Sequence, residues 1–104
     1  MHMSDNRIPT LSAKESLILE LLAREKSQYG LQLVSSSRRQ LKRGTVYVTL
    51  TRMEAKGYVK SRLEEAPSCA GGLPRRVYEM TSLGRRVLTV WSAAARRLVI
   101  EFAR

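Results

Sequence analysis

The stretch of sequence that decides the fold reads GTVYVTLTRMEAKGYVKSRL and covers residues 44–63. Its first part carries an apolar stripe at spacings of four and three, which is the pattern of a half-buried helix: Val46, Leu50 and Met53. Gly57 follows this stripe, and a glycine in the left-handed conformation commonly ends a helix. We therefore predict a helix over 44–56. The residues after Gly57 alternate between apolar and polar, which predicts a strand over 58–63.

The face of this helix opposite the apolar stripe is polar and basic, and it consists of Thr45, Val48, Thr49, Arg52 and Lys56. From Arg38 to Arg62 the chain carries eight basic residues against a single acid, Glu54: Arg38, Arg39, Lys42, Arg43, Arg52, Lys56, Lys60 and Arg62. Cations grouped around one helix are typical of a protein that binds nucleic acid phosphates. The alternative interpretation is an ordinary solvated surface.

The whole chain has 104 residues, which is the size of one domain, and a formal net charge of +10. A basic excess of this size favours a polyanionic partner, either nucleic acid or an anionic membrane surface. Because the chain has one Cys, one His and no glycine-rich phosphate loop, we predict no enzyme, no metal site and no cofactor. The single Cys69 excludes an intramolecular disulfide and favours a reducing, cytoplasmic location.

Helix signals precede the deciding stretch. Residues 12–15, SAKE, form a capping box, and the apolar residues behind it predict a first helix over 12–24. Ser27 is the expected N-cap of a second, shorter helix that ends near 35–37. Gly30, in the first turn of that helix, predicts a close approach of another group to the backbone.

A second strand and a last helix follow. Residues 64–74 form a loop by composition and 75–80 alternate as a strand does, so the two strands are expected to make an antiparallel hairpin. Thr81 is the expected cap of a helix that runs to the C-terminus. The apolar stripe of this helix is longer than four turns, so the helix either folds back on the body or pairs with a second copy.

The order helix, helix, helix, strand, strand, helix is that of a winged helix-turn-helix, in which the third helix enters the DNA major groove. The predicted fold class is mainly α with a small β-hairpin (α+β), a winged helix-turn-helix with a long C-terminal dimerisation helix. We assign residues 1–10 to an N-terminal arm that includes a probable cloning remnant. Residues 11–80 are the expected DNA-binding domain, and 81–104 are the dimerisation helix.

These motifs resemble the PadR-like family of transcriptional regulators. The resemblance rests on GTVY at 44–47, RMEAKG at 52–57, RRVY at 75–78, TSLG at 81–84 and Tyr29-Gly30 in the second helix. It covers about residues 12–91. It implies a homodimeric repressor of the short form, which pairs through a single C-terminal helix. It also implies that a small aromatic effector can bind at the dimer interface.

We predict that fourteen residues on the third helix, its flanks and the hairpin bind DNA: Arg38, Arg39, Lys42, Arg43, Thr45, Tyr47, Val48, Thr49, Arg52, Lys56, Lys60, Arg62, Arg75 and Arg76. Arg52 contacts either a guanine or a phosphate. Tyr47 either donates its hydroxyl to a phosphate or packs its ring between the helix and the hairpin. Arg75 and Arg76 point to opposite faces of their strand, so at most one of them meets a given groove.

The stripe of the last helix is the predicted dimer interface or effector pocket: Val87, Leu88, Trp91, Ala95, Leu98 and Phe102. Trp91 is either a packing anchor of that interface or a wall of the effector pocket. A basic amphipathic helix can also lie on an anionic membrane. The capping and hairpin signals favour a packed domain instead.

The sequence thus predicts a cytoplasmic, sequence-specific regulator that binds double-stranded DNA as a homodimer, with no membrane partner. Two alternatives stay open at this point. One is a winged-helix module whose basic face docks an acidic protein. The other is an architectural protein that binds nucleic acid without sequence preference.

Overall fold

The computed structural model describes residues 10–65 and 74–103, with side chains as far as Arg97. The elements in chain order are α1 (Ala13–Arg24), β1 (Gln28–Tyr29), α2 (Gly30–Ser36), α3 (Arg43–Ala55), β2 (Val59–Glu64), β3 (Arg75–Met80) and α4 (Ser82–Ala103). The three strands form one antiparallel sheet in the order β1-β3-β2. The predicted fold class is confirmed, with one strand more than the sequence indicated.

Local capping signals set the helix ends. The Ser12 hydroxyl accepts from the Glu15 amide at 3.1 Å, while the Glu15 carboxylate accepts from the Ser12 amide at 3.0 Å. The predicted capping box is therefore confirmed. At the other end of the helix-turn-helix unit, α3 ends before Gly57, which has a φ of +83°. The predicted glycine stop is confirmed, since the amide of Tyr58 also donates to the carbonyl of Met53 at 2.9 Å.

The prediction that Ser27 caps the second helix is wrong. Gln28 and Tyr29 instead form the short strand β1, which pairs with β3 and extends the expected hairpin to three strands. The Ser27 hydroxyl donates to the Glu79 carboxylate of β3 at 2.7 Å, and α2 begins one residue after Tyr29. A strand of two residues has no periodicity to detect, and its partner lies about fifty residues further along the chain.

The core is one cluster built around α1, which contacts α2, α3, α4 and β3. Its buried members come from every helix and from both long strands: Leu11, Ile18, Leu19, Leu21, Leu22, Leu33, Leu41, Val46, Leu50, Met53, Val59, Tyr78 and Val87. Burial of each such side chain contributes roughly 1.5–3 kcal/mol. The predicted stripe of α3 lies wholly within this cluster.

Thr81 caps α4 as predicted, since its hydroxyl accepts from the amide of Gly84 at 3.0 Å. Val87 is buried in the core, and Leu88 and Trp91 pack against it. The Cα radius of gyration is 15.7 Å, against about 13 Å for a compact domain of 100 residues. The molecule is therefore elongated. No helix in the described part of the chain is long and apolar enough to cross a membrane.

Candidate nucleic-acid interface

Helix α3 has a buried face and an exposed face, as its sequence predicts. Val46, Leu50 and Met53 are at most 1% exposed and fix the helix on the body. Thr45, Val48, Arg52 and Lys56 are exposed, and Thr49 is half-buried. A helix of 13 residues is about 20 Å long, which is enough to lie in the major groove of DNA.

Acidic partners engage two of the predicted DNA-binding cations. Lys56 pairs with Glu15 at 2.7 Å, and Arg62 pairs with Glu79 at 2.6 Å and with Glu64 at 3.5 Å. Eight other predicted cations are exposed and form no ion pair within residues 10–65 and 74–97: Arg38, Arg39, Lys42, Arg43, Arg52, Lys60, Arg75 and Arg76. These eight residues are named the free cations below, and they carry the positive charge that is available to a polyanion.

Glu15 and Glu79, the carboxylates that pair with Lys56 and Arg62, both have pKa values below the ordinary value. Burial by itself raises the pKa of Glu15, but hydrogen bonds from Lys56 and Ser12 and the charge of Lys56 together hold that pKa below its usual value. Hydrogen bonds from Ser27 and then Arg62 lower the pKa of Glu79. Both groups are therefore ionised near neutral pH and keep their cations neutralised.

The turn between α2 and α3 has an uncommon backbone conformation. Arg38 and Arg39 have φ values of +54° and +73°, in the left-handed region that disfavours residues with a side chain. Buried Ser37 closes this turn, since its hydroxyl donates to the carbonyl of Val34 at 2.7 Å and accepts from the amide of Leu41 at 2.9 Å. With Leu41 also buried, the turn is held on both sides and its two arginines are exposed to solvent.

Tyr47 packs its ring against the start of α2. A Cβ at Gly30 would lie 2.5 Å from a ring carbon of Tyr47, so only glycine allows this approach. The predicted close approach at Gly30 is therefore confirmed. Tyr47 is 44% exposed, and it lines a groove together with residues of α2 and with Arg75 and Arg76 of β3.

A groove lies on each side of α3. The first, of about 780 Å³, lies between α2 and the start of β3. Its lining includes Tyr29, Leu31, Gln32, Ser35, Ser36, Tyr47, Arg75 and Arg76. The second, of about 520 Å³, separates the start of α1 from α3 and is lined by Ser12, Lys14, Glu15, Thr45, Val48, Thr49, Arg52 and Lys56. The sequence did not predict the groove residues that α1 and α2 contribute. A groove forms between elements that are distant in the chain, so the residues next to a given position in the sequence carry no signal for it.

The two arginines at the start of β3 point apart, in agreement with the alternation of a strand. The Arg75 guanidinium lies 4.9 Å from the centre of the Tyr29 ring, whereas Arg76 donates to the Ser61 hydroxyl at 3.0 Å. Arg75 therefore borders the groove beside α2, and Arg76 also contacts β2. Cys69 lies outside the described residues.

The predicted interface stripe of α4 is divided between two environments. Val87 belongs to the core of its own chain, Leu88 and Trp91 are half-buried, and Ala95 is exposed. The side chains of Leu98 and Phe102 lie outside the described part. Leu83 and Val90 are 42% and 43% exposed and form an apolar flank that sequence reasoning missed. The two residues are seven positions apart, which is about two turns of a helix. They therefore lie on the same side of α4, and the helical periodicity of the sequence could have identified them.

Taken with the order of its elements, the exposed basic face of α3 defines the class of this molecule as a winged-helix DNA-binding protein. The chain belongs to the PadR-like family of transcriptional regulators, whose family model matches residues 18–90. The resemblance noted in the sequence is thereby confirmed. The protein is a transcription regulator and not an enzyme.

Solved structures of the same family share the fold. A PadR family transcription regulator from hypervirulent Clostridium difficile R20291 is 28% identical, with a TM-score of 0.73 over 89% of this chain and 100% of that chain. A PadR-like transcription factor from Bacteroides fragilis is 25% identical, with a TM-score of 0.73 over 86% and 85%. A PadR family transcriptional regulator from Eggerthella lenta DSM 2243 is 26% identical, with a TM-score of 0.70 over 85% and 79%. No curated protein matches the sequence.

Proposed function

We propose that this protein is a sequence-specific repressor that binds its DNA site as a homodimer, with α3 in the major groove. The observation that carries the proposal is the exposed face of α3 together with the eight free cations around it. Phosphate neutralisation supplies most of the affinity of such a surface, and groove contacts supply the sequence preference.

The fourteen predicted residues divide into different proposed roles. Five of them lie on α3, and their proposed role is to contact base edges or the adjoining phosphates: Thr45, Tyr47, Val48, Thr49 and Arg52. The other free cations supply phosphate contacts from the turn before α3, from the first residue of α3 and from the hairpin of β2 and β3, which is the wing: Arg38, Arg39, Lys42, Arg43, Lys60, Arg75 and Arg76. Lys56 and Arg62 contribute less, because a phosphate would have to compete with Glu15 and Glu79 for them.

The proposed dimer forms through α4. This helix carries an exposed apolar flank at Leu83 and Val90, and its described residues beyond Trp91 leave the core. Two copies related by a twofold axis would present their α3 helices to half-sites about one helical turn apart, roughly 34–36 Å, or a multiple of that spacing. In this arrangement the DNA site is a palindrome.

We further propose that a small aromatic effector binds beside Trp91 at the dimer interface. Trp91 is half-buried against its own core, so part of its ring is available to a ligand or to a second copy. A ligand that binds one spacing of the two α3 helices better than another would shift the DNA affinity by that difference. A repressor of this type acts in the cytoplasm, on the nucleoid.

The test is fluorescence anisotropy at physiological salt, with a labelled duplex from upstream of the protein's own gene and a shuffled duplex as competitor. A preference of about a thousandfold or more for the native duplex supports the proposal. Equal, salt-sensitive binding to both, followed by failure to select any preferred duplex from a random pool, contradicts it in favour of an architectural protein. No binding at low salt favours a module that docks an acidic protein.

Matched arginine variants separate sequence reading from phosphate binding. Arg52→Ala should relax the preference between duplexes, at a cost of about 1–3 kcal/mol for the preferred one if Arg52 contacts a guanine. Arg38→Ala should weaken binding to all duplexes and reduce the salt slope by about 1. Arg24→Ala, an exposed arginine at the end of α1 that borders neither groove, is the control and should change neither quantity.

A further inference from the structure

An apolar patch lies at the centre of the exposed face of α3. It is a shallow depression of about 410 Å³ that is lined by Tyr47, Val48 and Thr51, with Arg52 at its edge. We name Tyr47, Val48 and Thr51 the apolar window. Val48 is 52% exposed and Tyr47 is 44% exposed, so about half of each side chain meets solvent. Thr51 lies three residues after Val48 and four after Tyr47, so its side chain neighbours both of them on the helix surface.

Among residues 10–65 and 74–97, no core packing accounts for a valine at position 48. The side chain of Val48 is not part of the core cluster, and valine is a weaker helix former than alanine. A single exposed apolar residue is ordinary on a protein surface. Val48 shares its depression with Arg52, which is one of the free cations, and it also lines the groove that contains Lys14 and Lys56. A polyanion is therefore expected to bind beside it.

The edges of base pairs in the major groove present hydrogen-bond donors, hydrogen-bond acceptors and one apolar group, the 5-methyl group of thymine. The Val48 side chain has no hydrogen-bond donor for a phosphate oxygen or for an acceptor atom of a base. Its contact with DNA is therefore favourable only where it meets that methyl group or similar apolar surface. The window matches this group in chemistry, and the cations around it match the phosphates on either side of the groove.

We infer, on the basis of the proposed function, that the apolar window reads the 5-methyl group of a thymine in each half-site. Val48 and Arg52 are four residues apart, which is about 6 Å along the helix. This length corresponds to about two base-pair steps of 3.4 Å. The thymine therefore lies within about two base pairs of the group that Arg52 contacts.

The experiment removes the methyl group from the DNA without altering its base pairing. The full chain first selects its preferred duplex from a random pool. Each thymine of that duplex is then replaced in turn by uracil, and the dissociation constant is measured by fluorescence anisotropy. Loss of one buried methyl group should weaken binding about fourfold at one thymine of each half-site, which is the equivalent of about 0.8 kcal/mol.

Variants of the protein then tie this effect to Val48. Val48→Ala should remove the difference between thymine and uracil at that position only, and Val48→Thr, which keeps the shape and one methyl group, should retain part of it. Both variants should fold, because the side chain is half-exposed and alanine favours a helix. Leu63→Ala, at an apolar residue of β2 that is 61% exposed and belongs neither to the apolar window nor to the apolar flank of α4, is the control and should leave the full difference.

Two results would overturn the inference. The first is specific binding in which uracil is tolerated at every thymine within twofold, and the second is a penalty for uracil that stays the same in Val48→Ala. In both cases the proposed function stands, because the protein still prefers its selected duplex. If no duplex is selected at all, the proposed function fails and the inference fails with it.

Discussion

Glu15 links the start of α1 to the end of α3 through one carboxylate. One oxygen accepts from the Ser12 amide and closes the capping box of α1, and the other accepts from Lys56 at the end of α3. Its side chain is 8% exposed, while that of Lys56 is 46% exposed. A residue that sequence reasoning assigned to local capping therefore also fixes α1 against α3, and it reduces the charge that Lys56 offers to DNA.

Replacement of Glu15 by Gln tests this double role. Gln keeps the length of the side chain and can complete a capping box, so only the charge is lost. We expect a loss of about 1 kcal/mol in the free energy of unfolding at neutral pH. Because the pKa of Glu15 is lower in the folded chain than the ordinary 4.5, its charge stabilises fully above that value. This contribution is lost as the pH falls below 4.5 through the folded pKa.

The measurement is urea unfolding of the wild-type and Glu15→Gln proteins from pH 7 down to pH 3, at one protein concentration. The two curves of stability against pH should converge as the pH falls. Glu79 titrates in the same direction in both proteins, so its effect cancels in the comparison. Glu20→Gln, at an exposed position of the same helix, is the control. A difference that stays constant with pH would show that the charge of Glu15 is not involved.

At the scale of the elements, the four helices, β2 and β3 follow from local signals and β1 does not. Capping residues and apolar stripes act within one or two turns, so they can be found in the sequence. β1 exists because Gln28 and Tyr29 pair with Tyr78 and Val77. Its formation depends on a partner strand that folding brings close, and two residues carry no pattern of their own. Ser27 was therefore assigned to a cap, although its hydroxyl bonds Glu79.

The junction between α4 and the sheet depends on one glycine. A Cβ at Gly84 would overlap the carbonyl oxygen of Tyr58 and lie 3.0 Å from a side-chain atom of Met80. Gly84→Ala should therefore push α4 away from the start of β2 and destabilise the protein by about 1–3 kcal/mol. Gly44→Ala is the matched control. Nothing lies within 4 Å of its added Cβ, so the change should be neutral or stabilising, by up to about 1 kcal/mol.

Urea unfolding midpoints at equal protein concentration check this pair of substitutions. The expected order of stability is Gly44→Ala at or above wild type, with Gly84→Ala below both. If Gly84→Ala were as stable as wild type, the close approach of α4 to Tyr58 would not hold in solution.

At the scale of the whole molecule, one side of α4 packs against the core and another side is exposed. Val87 is buried within the chain, whereas Val90 and Leu83 are not. The described residues beyond Trp91 do not belong to the core cluster. An elongated protomer with an apolar helix flank is the arrangement that the proposed pairing of two copies requires.

Sedimentation equilibrium at micromolar concentration checks the proposed dimer. We expect twice the protomer mass of 11.8 kDa for the wild-type protein. Val90→Arg should shift the mass toward the protomer, because it places a charge on the apolar flank without touching the core. Thr89→Arg, an exposed neighbour on another side of the helix, should remain a dimer. A wild-type protein of protomer mass would contradict the pairing.

The sequence by itself determined the four helices, the caps of α1 and α4 and the glycine that ends α3. It also determined the two faces of α3 and the family resemblance. The structural features among these depend on residues close together in the chain, and the resemblance rests on a set of short motifs in a fixed order. Tertiary structure decided the third strand, the neutralisation of Lys56 and Arg62, the place of Val87 in the core and the grooves beside α3. These features join residues that are far apart in sequence, as Lys56 and Glu15 are by 41 positions. Local periodicity carries no information about such pairs, and only the packing of α1, α3 and the sheet brings them together.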